Sequence, residues 1–447
     1  MSEQKTKNVL ILGAGFGGIS AARRLERTLA RGADISITLV DRNNFTLFTP
    51  MLHEVAASDL DPTDIVNPVR KMLKRGTFYE AKVEAIDLKA RTVDISFGLP
   101  RHDRQLSYDF LIIAIGSTTR FFDDQTRENA IEMKTLGDAM LLRNRMIALL
   151  EAASSETDEQ TRKWLLSFVV AGGGFAGVES IGAMNDFLRE AIKSYPMLDE
   201  KMLRLILVHP GKVVLPEFSE SLGQYTTEKL RESGVDVRLN TKVKSYDGSK
   251  VELDPGEPID ARTLLWTAGV TTSPLIEGLP MKKEKGRIVV NACMESEEFP
   301  GVWVIGDCAH IPNPDDDGKP YPATAQHALR QGEVVARNVE ATVLGGGRQQ
   351  KPFIYKMLGQ LAAIGQRRGA AKVLGFQFSG FFAWWLWRST YLYKLPRLVK
   401  KIRVAVGWTI DLLFSRDLVQ VITLEDISKY TAFGMRNNLG PKEKDNK

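Results

Sequence analysis

One pattern occurs twice in this chain and constrains its fold more than any other feature. Val9-Leu10-Ile11-Leu12 runs into Gly13-Ala14-Gly15-Phe16-Gly17-Gly18 and then an Ala/Leu/Arg-rich helical stretch. Leu166 to Val170 runs into Gly172-Gly173-Gly174-Phe175-Ala176-Gly177-Val178-Glu179, again followed by a helical stretch. Each copy reads as strand, tight turn and helix. In the first, Gly13 permits the turn, Gly15 lets the backbone approach a pyrophosphate, and Gly18 allows close packing, while the helix N-terminus offers free N–H groups to phosphate. A second apolar strand follows each turn. Ile35 to Val40 ends in Asp41, with Arg42 beside it, where an acid accepts hydrogen bonds from a ribose; Leu203 to Val208 ends in His209, where an acid would be usual.

Two such units imply an α/β protein with two Rossmann-like dinucleotide-binding domains. The 447 residues, 43% hydrophobic and 26% charged, suffice for two or three domains with a large core. A net charge of +5 is modest for this length and concentrates near the C-terminus, so no nucleic-acid partner is expected. The polar start, Met1 to Lys7, runs directly into a strand and leaves no room for a signal segment, which points to a cytoplasmic protein. Cys293 and Cys308 lack the CxxC or CxxxxC spacing of a dithiol relay or zinc site and read as structural thiols. The five histidines, His53, His102, His209, His310 and His327, are scattered, and no metal is expected.

Two apolar runs end in glycine, Leu111 to Gly116 and Leu264 to Gly269 with Ala268 before the glycine, one per dinucleotide unit. A further run, Val302 to Ile305, leads into Gly306-Asp307. Asp307 at a strand's C-terminal end suits a flavin ribityl contact, with capping of the following helix as the alternative.

The chain resembles the type II NADH dehydrogenases, single-subunit NADH:quinone oxidoreductases that bind membranes peripherally. The resemblance rests on the two glycine turns with Asp41, on Phe48-Thr49-Pro50-Met51-Leu52 with Glu54-Val55-Ala56, and on Thr267-Ala268-Gly269-Val270. Ile305-Gly306-Asp307-Cys308-Ala309 and Ala323-Thr324-Ala325-Gln326-His327-Ala328-Leu329-Arg330-Gln331-Gly332 extend it over most of the chain. It implies FAD and NADH as cofactors, with hydride passing to the flavin and two electrons then passing to a membrane quinone, without proton pumping. It implies Thr49 and Pro50 along the flavin ring, Glu179 at the nicotinamide pocket, and Ala325 and Gln326 near the ring's pyrimidine edge and the quinone entry. Ordinary roles stand beside these: a turn at Thr49-Pro50, a first-turn carboxylate at Glu179, a surface residue at Gln326. The family pattern Ala-Gln-x-Ala-x-Gln departs here at Arg330, which shares a helical face with Gln326 and can meet either a quinone or an anionic group of the fold. His327 reads as structural. Because His209 replaces the acid that repels a 2′-phosphate, NADPH is expected to be used appreciably, with NADH as the default donor.

Near the C-terminus, Phe381 to Trp387 is broken by Arg388, and Ile402 to Phe414 carries Arg403 and Asp411, so neither run spans a bilayer. Lys394, Arg397, Lys400, Lys401 and Arg403, interleaved with Tyr391, Tyr393 and Trp408, suit amphipathic helices lying on an anionic membrane surface. The alternative is packing on the core or a homodimer interface. The expected organisation is an FAD domain in two pieces, 5–120 and 295–347, an inserted NAD(P)H domain, 121–294, and a membrane-associating helical region, 348–447, after the Gly345-Gly346-Gly347 junction and ending in a polar, mobile tail. The expected location is the cytoplasmic face of the inner membrane. A soluble NAD(P)H diaphorase or ferredoxin-type reductase, and a membrane-recruited redox sensor, are the alternative functions.

Overall fold

A computed structural model of the chain describes residues 6–30, 32, 34–316, 318–345, 347–411 and 414–421. Lys5, Gly346, Leu412, Leu413 and the polar tail lie outside the described residues.

Both glycine turns sit at the centre of a five-stranded parallel sheet. In the first, the order is Val302–Val304, Phe110–Ile113, Lys7–Leu12, Ile35–Asp41 and Thr77–Glu80. In the second it is Ile131–Glu132, Thr263–Trp266, Ser167–Ala171, Arg204–Val208 and Val235–Arg238. The two orders correspond strand for strand, and the central strands are buried on both faces, as parallel sheets covered by helices require. Val302–Val304 returns from far along the chain to pair with Phe110–Ile113, so the first sheet is built from two separated stretches. Two crossings link the sheets: Thr118–Thr119 pairs antiparallel with Val270–Thr271, and Phe121 stacks on Trp266 at 5.5 Å. Beyond the second crossing, Ile276, Leu279, Met281, Ile288 and Val290 join the core around the first sheet, and Ile288 pairs with Ala309.

Six helices frame the site and its surroundings: α1, Phe16–Leu29; α2, Leu52–Ala56; α3, Phe175–Ala191; α4, Ala325–Leu344; α5, Gly380–Lys394; and α6, Leu398–Ile410. Helices α1 and α4 approach closely because both are glycine at the contact. A Cβ on Gly332 would lie 2.2 Å from the Gly17 carbonyl oxygen, and one on Gly17 would lie 3.0 Å from Ile305.

The C-terminal region departs from the expected all-helical form, because it begins with a three-stranded antiparallel sheet, Gly359–Gly365, Arg368–Val373 and Phe376–Ser379. That sheet seats against α3, where a Cβ on Gly182 would meet the Ile364 carbonyl at 2.7 Å. The strand buries Leu361, Ala362, Ala363 and Ile364 in succession, and its small residues left no alternating pattern to mark it in the sequence. Helix α5 then covers this sheet through the buried Ala383, Trp384 and Trp387, and α6 turns Val404 and Trp408 inward. Among the described residues, no helix is long and apolar enough to cross a membrane.

Candidate functional site

The two turns share one geometry. Gly13 and Gly172 have φ of +98° and +108°, in the left-handed region where a side chain is strained. A Cβ on Gly18 would lie 1.8 Å from the Gly13 carbonyl oxygen, and one on Gly177 would lie 1.8 Å from that of Gly172. Nothing stands within 4 Å of a Cβ on Gly15, and Gly174 meets only Glu217 Oε1 at 4.0 Å. Gly15 and Gly174 are the N-caps of α1 and α3, and neither helix end has a side-chain cap. Crowding at the first and last glycines, with open space and uncapped N–H groups at the middle one, fits the pyrophosphate of a dinucleotide. Phe16 and Phe175 follow the open positions and rest edge-on against Phe48 and Phe218.

Asp41 and His209 also perform the same local task. Asp41 Oδ2 accepts from the Ala14 N–H at 2.6 Å and Oδ1 from the Asn43 N–H at 2.7 Å. His209 Nδ1 accepts from the Gly173 N–H at 3.1 Å. Ala14 and Gly173 hold the same place in the two turns. Burial raises the Asp41 carboxyl above its ordinary value and lowers His209. An imidazole that is buried and accepting at Nδ1 is neutral, with its hydrogen on Nε2. The ring is therefore held in the uncharged form, which neither repels nor attracts a phosphate by charge. Arg42 and Lys212 are exposed.

At the ends of strands of the first sheet, Gly116 has φ of +71° and Gly306 of +75°. They bring Ser117 beside Asp307, whose Oδ2 accepts from the Ser117 hydroxyl at 2.7 Å, while Lys134 Nζ donates to the same hydroxyl at 2.8 Å. Asp307 does not cap the short helical turn that contains it. Thr49 and Pro50 begin a short 3-10 turn leading into α2, and Ala325 begins α4. Gln326 is tied at both ends: Nε2 donates to the Gly359 carbonyl at 3.1 Å, and Oε1 accepts from the Tyr355 hydroxyl at 3.3 Å. Arg330, exposed, lies 5.9 Å from the Tyr355 ring and 3.6 Å from Glu333, so it shares the Gln326 face as helical spacing requires. His327 is buried, bonded to Thr324 and flanked by Tyr321 and Tyr355. In the second sheet, Ala268 and Gly269, φ +125°, follow the strand Thr263–Trp266. The thiols stand apart from one another: Cys308 is buried, and burial pushes it up to about 12.

Glu179 is buried and faces the C-terminal region. Its Oε1 accepts from Trp387 Nε1 at 2.9 Å and from the Ala363 N–H at 3.2 Å, and Oε2 lies 3.8 Å from His53 Nδ1. Burial pushes Glu179 up to about 8 and His53 down to about 3, so near neutrality this is a neutral contact, not an ion pair. A second buried carboxylate, Glu54 on α2, accepts from Trp408 Nε1 at 3.0 Å and is also raised to about 8 by burial. The Arg388 guanidinium lies 4.0 Å from Glu54, held between the Trp384 and Trp408 rings at 4.5 and 4.4 Å. Beyond it, Arg416 bridges Asp59 at 2.6 Å and Glu190 at 3.1 Å. Sequence reasoning missed this cluster except for Glu179. Its members come from five distant stretches, and the one available signal was a run of tryptophans interrupted by an arginine.

Lys400, expected at the membrane surface with the other basic residues, is turned inward, with its ammonium on the Thr63 carbonyl.

Residues 7–332 match the Pyridine nucleotide-disulphide oxidoreductase family, and residues 357–417 match the NDH2 C-terminal domain. A probable NADH dehydrogenase of Dictyostelium discoideum is 31% identical over 421 residues, covering 93% of this chain and 91% of that protein. The type II NADH:quinone oxidoreductase NdhA of Mycobacterium tuberculosis is 32% identical over 421 residues, covering 90% and 86%. The solved structure of NDH2 from Plasmodium falciparum in complex with NADH shares the fold with a TM-score of 0.86 at 18% identity, covering 93% of this chain and 100% of that one. The sulfide:quinone oxidoreductase from Aquifex aeolicus does so with a TM-score of 0.68 at 18% identity, covering 90% and 92%.

Proposed function

The chain belongs to the type II NADH:quinone oxidoreductase family, and from that we propose that it passes hydride from NADH to FAD and then two electrons to a membrane quinone. The observation that carries this reading is the paired turn geometry, with open, uncapped helix N-termini at Gly15 and Gly174. FAD would take the first turn, with Asp41 toward its ribose, Asp307 toward its ribityl chain, and Thr49, Pro50, Gly116 and Ala325 around its ring. The flavin supplies the two-electron chemistry.

NADH would take the second turn, with Ala268 and Gly269 at the far wall. Glu179 holds a proton near neutral pH because its surroundings exclude water, and it sits where the nicotinamide domain meets the C-terminal region. Gln326, anchored to Gly359 and Tyr355, orients the acceptor side, and Arg330 borders it from the same helical face. NADPH serves as a second donor, since no carboxylate stands at position 209 to repel its 2′-phosphate.

The chain would rest on an anionic membrane from the cytoplasmic side. Supporting this, Phe381, Phe382, Trp385, Leu398, Val399 and Ile402 are half or more exposed on the outer faces of α5 and α6. Among the described residues no helix is long and apolar enough to cross a membrane, and proton pumping forms no part of the proposed activity.

Steady-state turnover of FAD-replete protein with NADH and NADPH against a short-chain ubiquinone and a menaquinone analogue tests donor and acceptor together. Quinone reduction is expected with both donors, faster with NADH. Reduction of soluble dyes without any quinone reduction would overturn the assignment.

A further inference from the structure

Helix α1 turns Gly18, Ala21, Ala22 and Leu25 toward the first sheet. Its opposite stripe, from Phe16 through Ile19 to Arg23 and Arg27, lines a cavity of about 180 Å³ that runs along about 16 Å of helix axis. Gly13, Gly15 and Asp41 do not line it, whereas Phe16 and Phe48 do, so it begins beside the first turn and runs away from it along the outer side of α1.

The cavity is built of three unlike parts. Its walls include the apolar Ile19, Leu47 and Met72. At its mouth stand the exposed Arg23, Arg27 and Lys394, none of which has an ion pair among the described residues, while the neighbouring Glu333 is engaged by Arg330. Within it lies Asn67, 0% exposed, whose Oδ1 and Nδ2 both lack a hydrogen-bond partner. A buried amide with no partner is costly, and each native instance calls for something to satisfy it. The cavity therefore suits a molecule with an anionic group, a neutral polar group and an apolar chain.

Its position selects the source. Lys394 ends α5 and Pro396 lies in the turn before α6, next to Leu398 and Val399, which are 70% and 53% exposed on the apolar face proposed to meet the membrane. The mouth of the cavity is continuous with that face.

We propose that this cavity binds one anionic phospholipid of the supporting leaflet. Its phosphate is held by Arg23, Arg27 and Lys394, an ester carbonyl accepts from Asn67 Nδ2, and one acyl chain lies along Ile19, Leu47 and Met72. The lipid would wedge α1 and the loop before Thr49 against the C-terminal helices. The site rests on the proposed membrane association, and the test separates the two.

The full-length holoenzyme is exchanged in detergent with phosphatidylglycerol or phosphatidylcholine, desalted, and analysed for bound lipid against its flavin content. Sedimentation with vesicles of phosphatidylcholine containing phosphatidylglycerol is measured in parallel. Phosphatidylglycerol should be retained in about equimolar ratio to flavin, and phosphatidylcholine far less. Arg23→Ala/Arg27→Ala, at exposed positions, and the cavity-filling Met72→Trp should each lower retention roughly tenfold or more while vesicle sedimentation persists. If sedimentation fails but lipid retention shows this pattern, the membrane reading falls and the lipid site stands. Retention equal to the parent in the arginine variant, no retention by the parent, or recovery of a quinone from the site in place of phospholipid would each overturn the inference.

Discussion

Glu179 and His209 show how burial alone assigns chemical character. The Glu179 carboxyl, raised to about 8 from an ordinary 4.5, keeps its proton in the fold where the unfolded chain has lost it. Its stabilising contribution is therefore whole below about pH 4.5 and is lost as pH rises through about 8, with a slope of at most about 1.4 kcal/mol per pH unit. Glutamine preserves the bonds from Trp387 and Ala363 without titrating. The stability of Glu179→Gln, measured by chemical denaturation, should exceed the parent's at about pH 9, with the gap closing toward about pH 5. Parallel pH profiles would show that Glu179 is not the buried acid described. At position 209, glutamate can accept from the Gly173 N–H as Asp41 accepts from Ala14, so the fold should tolerate His209→Glu. That variant should lose roughly tenfold or more of its NADPH turnover and much less of its NADH turnover, through restored repulsion of the 2′-phosphate. A parent enzyme that already rejects NADPH as strongly would sink the idea.

The two turn-helix units are equivalent in geometry but are proposed to differ in ligand, which makes them separable. Alanine at Gly18 or Gly177 would place a methyl 1.8 Å from a carbonyl oxygen and push the helix off its turn. Gly18→Ala should emerge from purification with little flavin. Gly177→Ala should stay yellow but bind NADH at least tenfold more weakly by fluorescence titration. Equal flavin loss in both would contradict the division. Helices α5 and α6 cannot be tested by removing the chain after Gly375, because Trp387, Arg388 and Trp408 close over Glu179 and Glu54 and their loss would bare buried carboxyls.

Across the whole molecule, the α5–α6 layer has two apolar sides: one seals the carboxylate cluster, the other faces outward. Substituting only outward residues separates these roles. Trp385→Glu/Ile402→Glu should abolish sedimentation with anionic vesicles while flavin content and dye reduction remain near the parent's, since both side chains are more than half exposed. Undiminished vesicle binding would place the membrane contact elsewhere. Raised salt should weaken what binding the parent shows, because the Lys and Arg contribution is screened over about 10 Å at 0.1 M ionic strength.

The two strand–turn–helix units and the family were legible in the residues themselves, while the strand orders came from the structure. A glycine that must approach a carbonyl, or an apolar run buried on both faces, is a local requirement written at one place in the chain. The placement of Asp41 at the end of its strand, and of Gly116, Asp307 and Ala268 just beyond theirs, was readable for the same reason. The partners of Glu179 were not. Trp387, Ala363 and His53 reach it from three other stretches, and a raised pKa depends on the water that distant side chains exclude rather than on neighbours in sequence. The inward turn of Lys400, the small-residue sheet Gly359–Gly365 seated on Gly182, and the cavity around Asn67 arise likewise only when separated segments pack together. Local pattern specified the two strand–turn–helix elements; long-range burial set the protonation states and enclosed the spaces beside them.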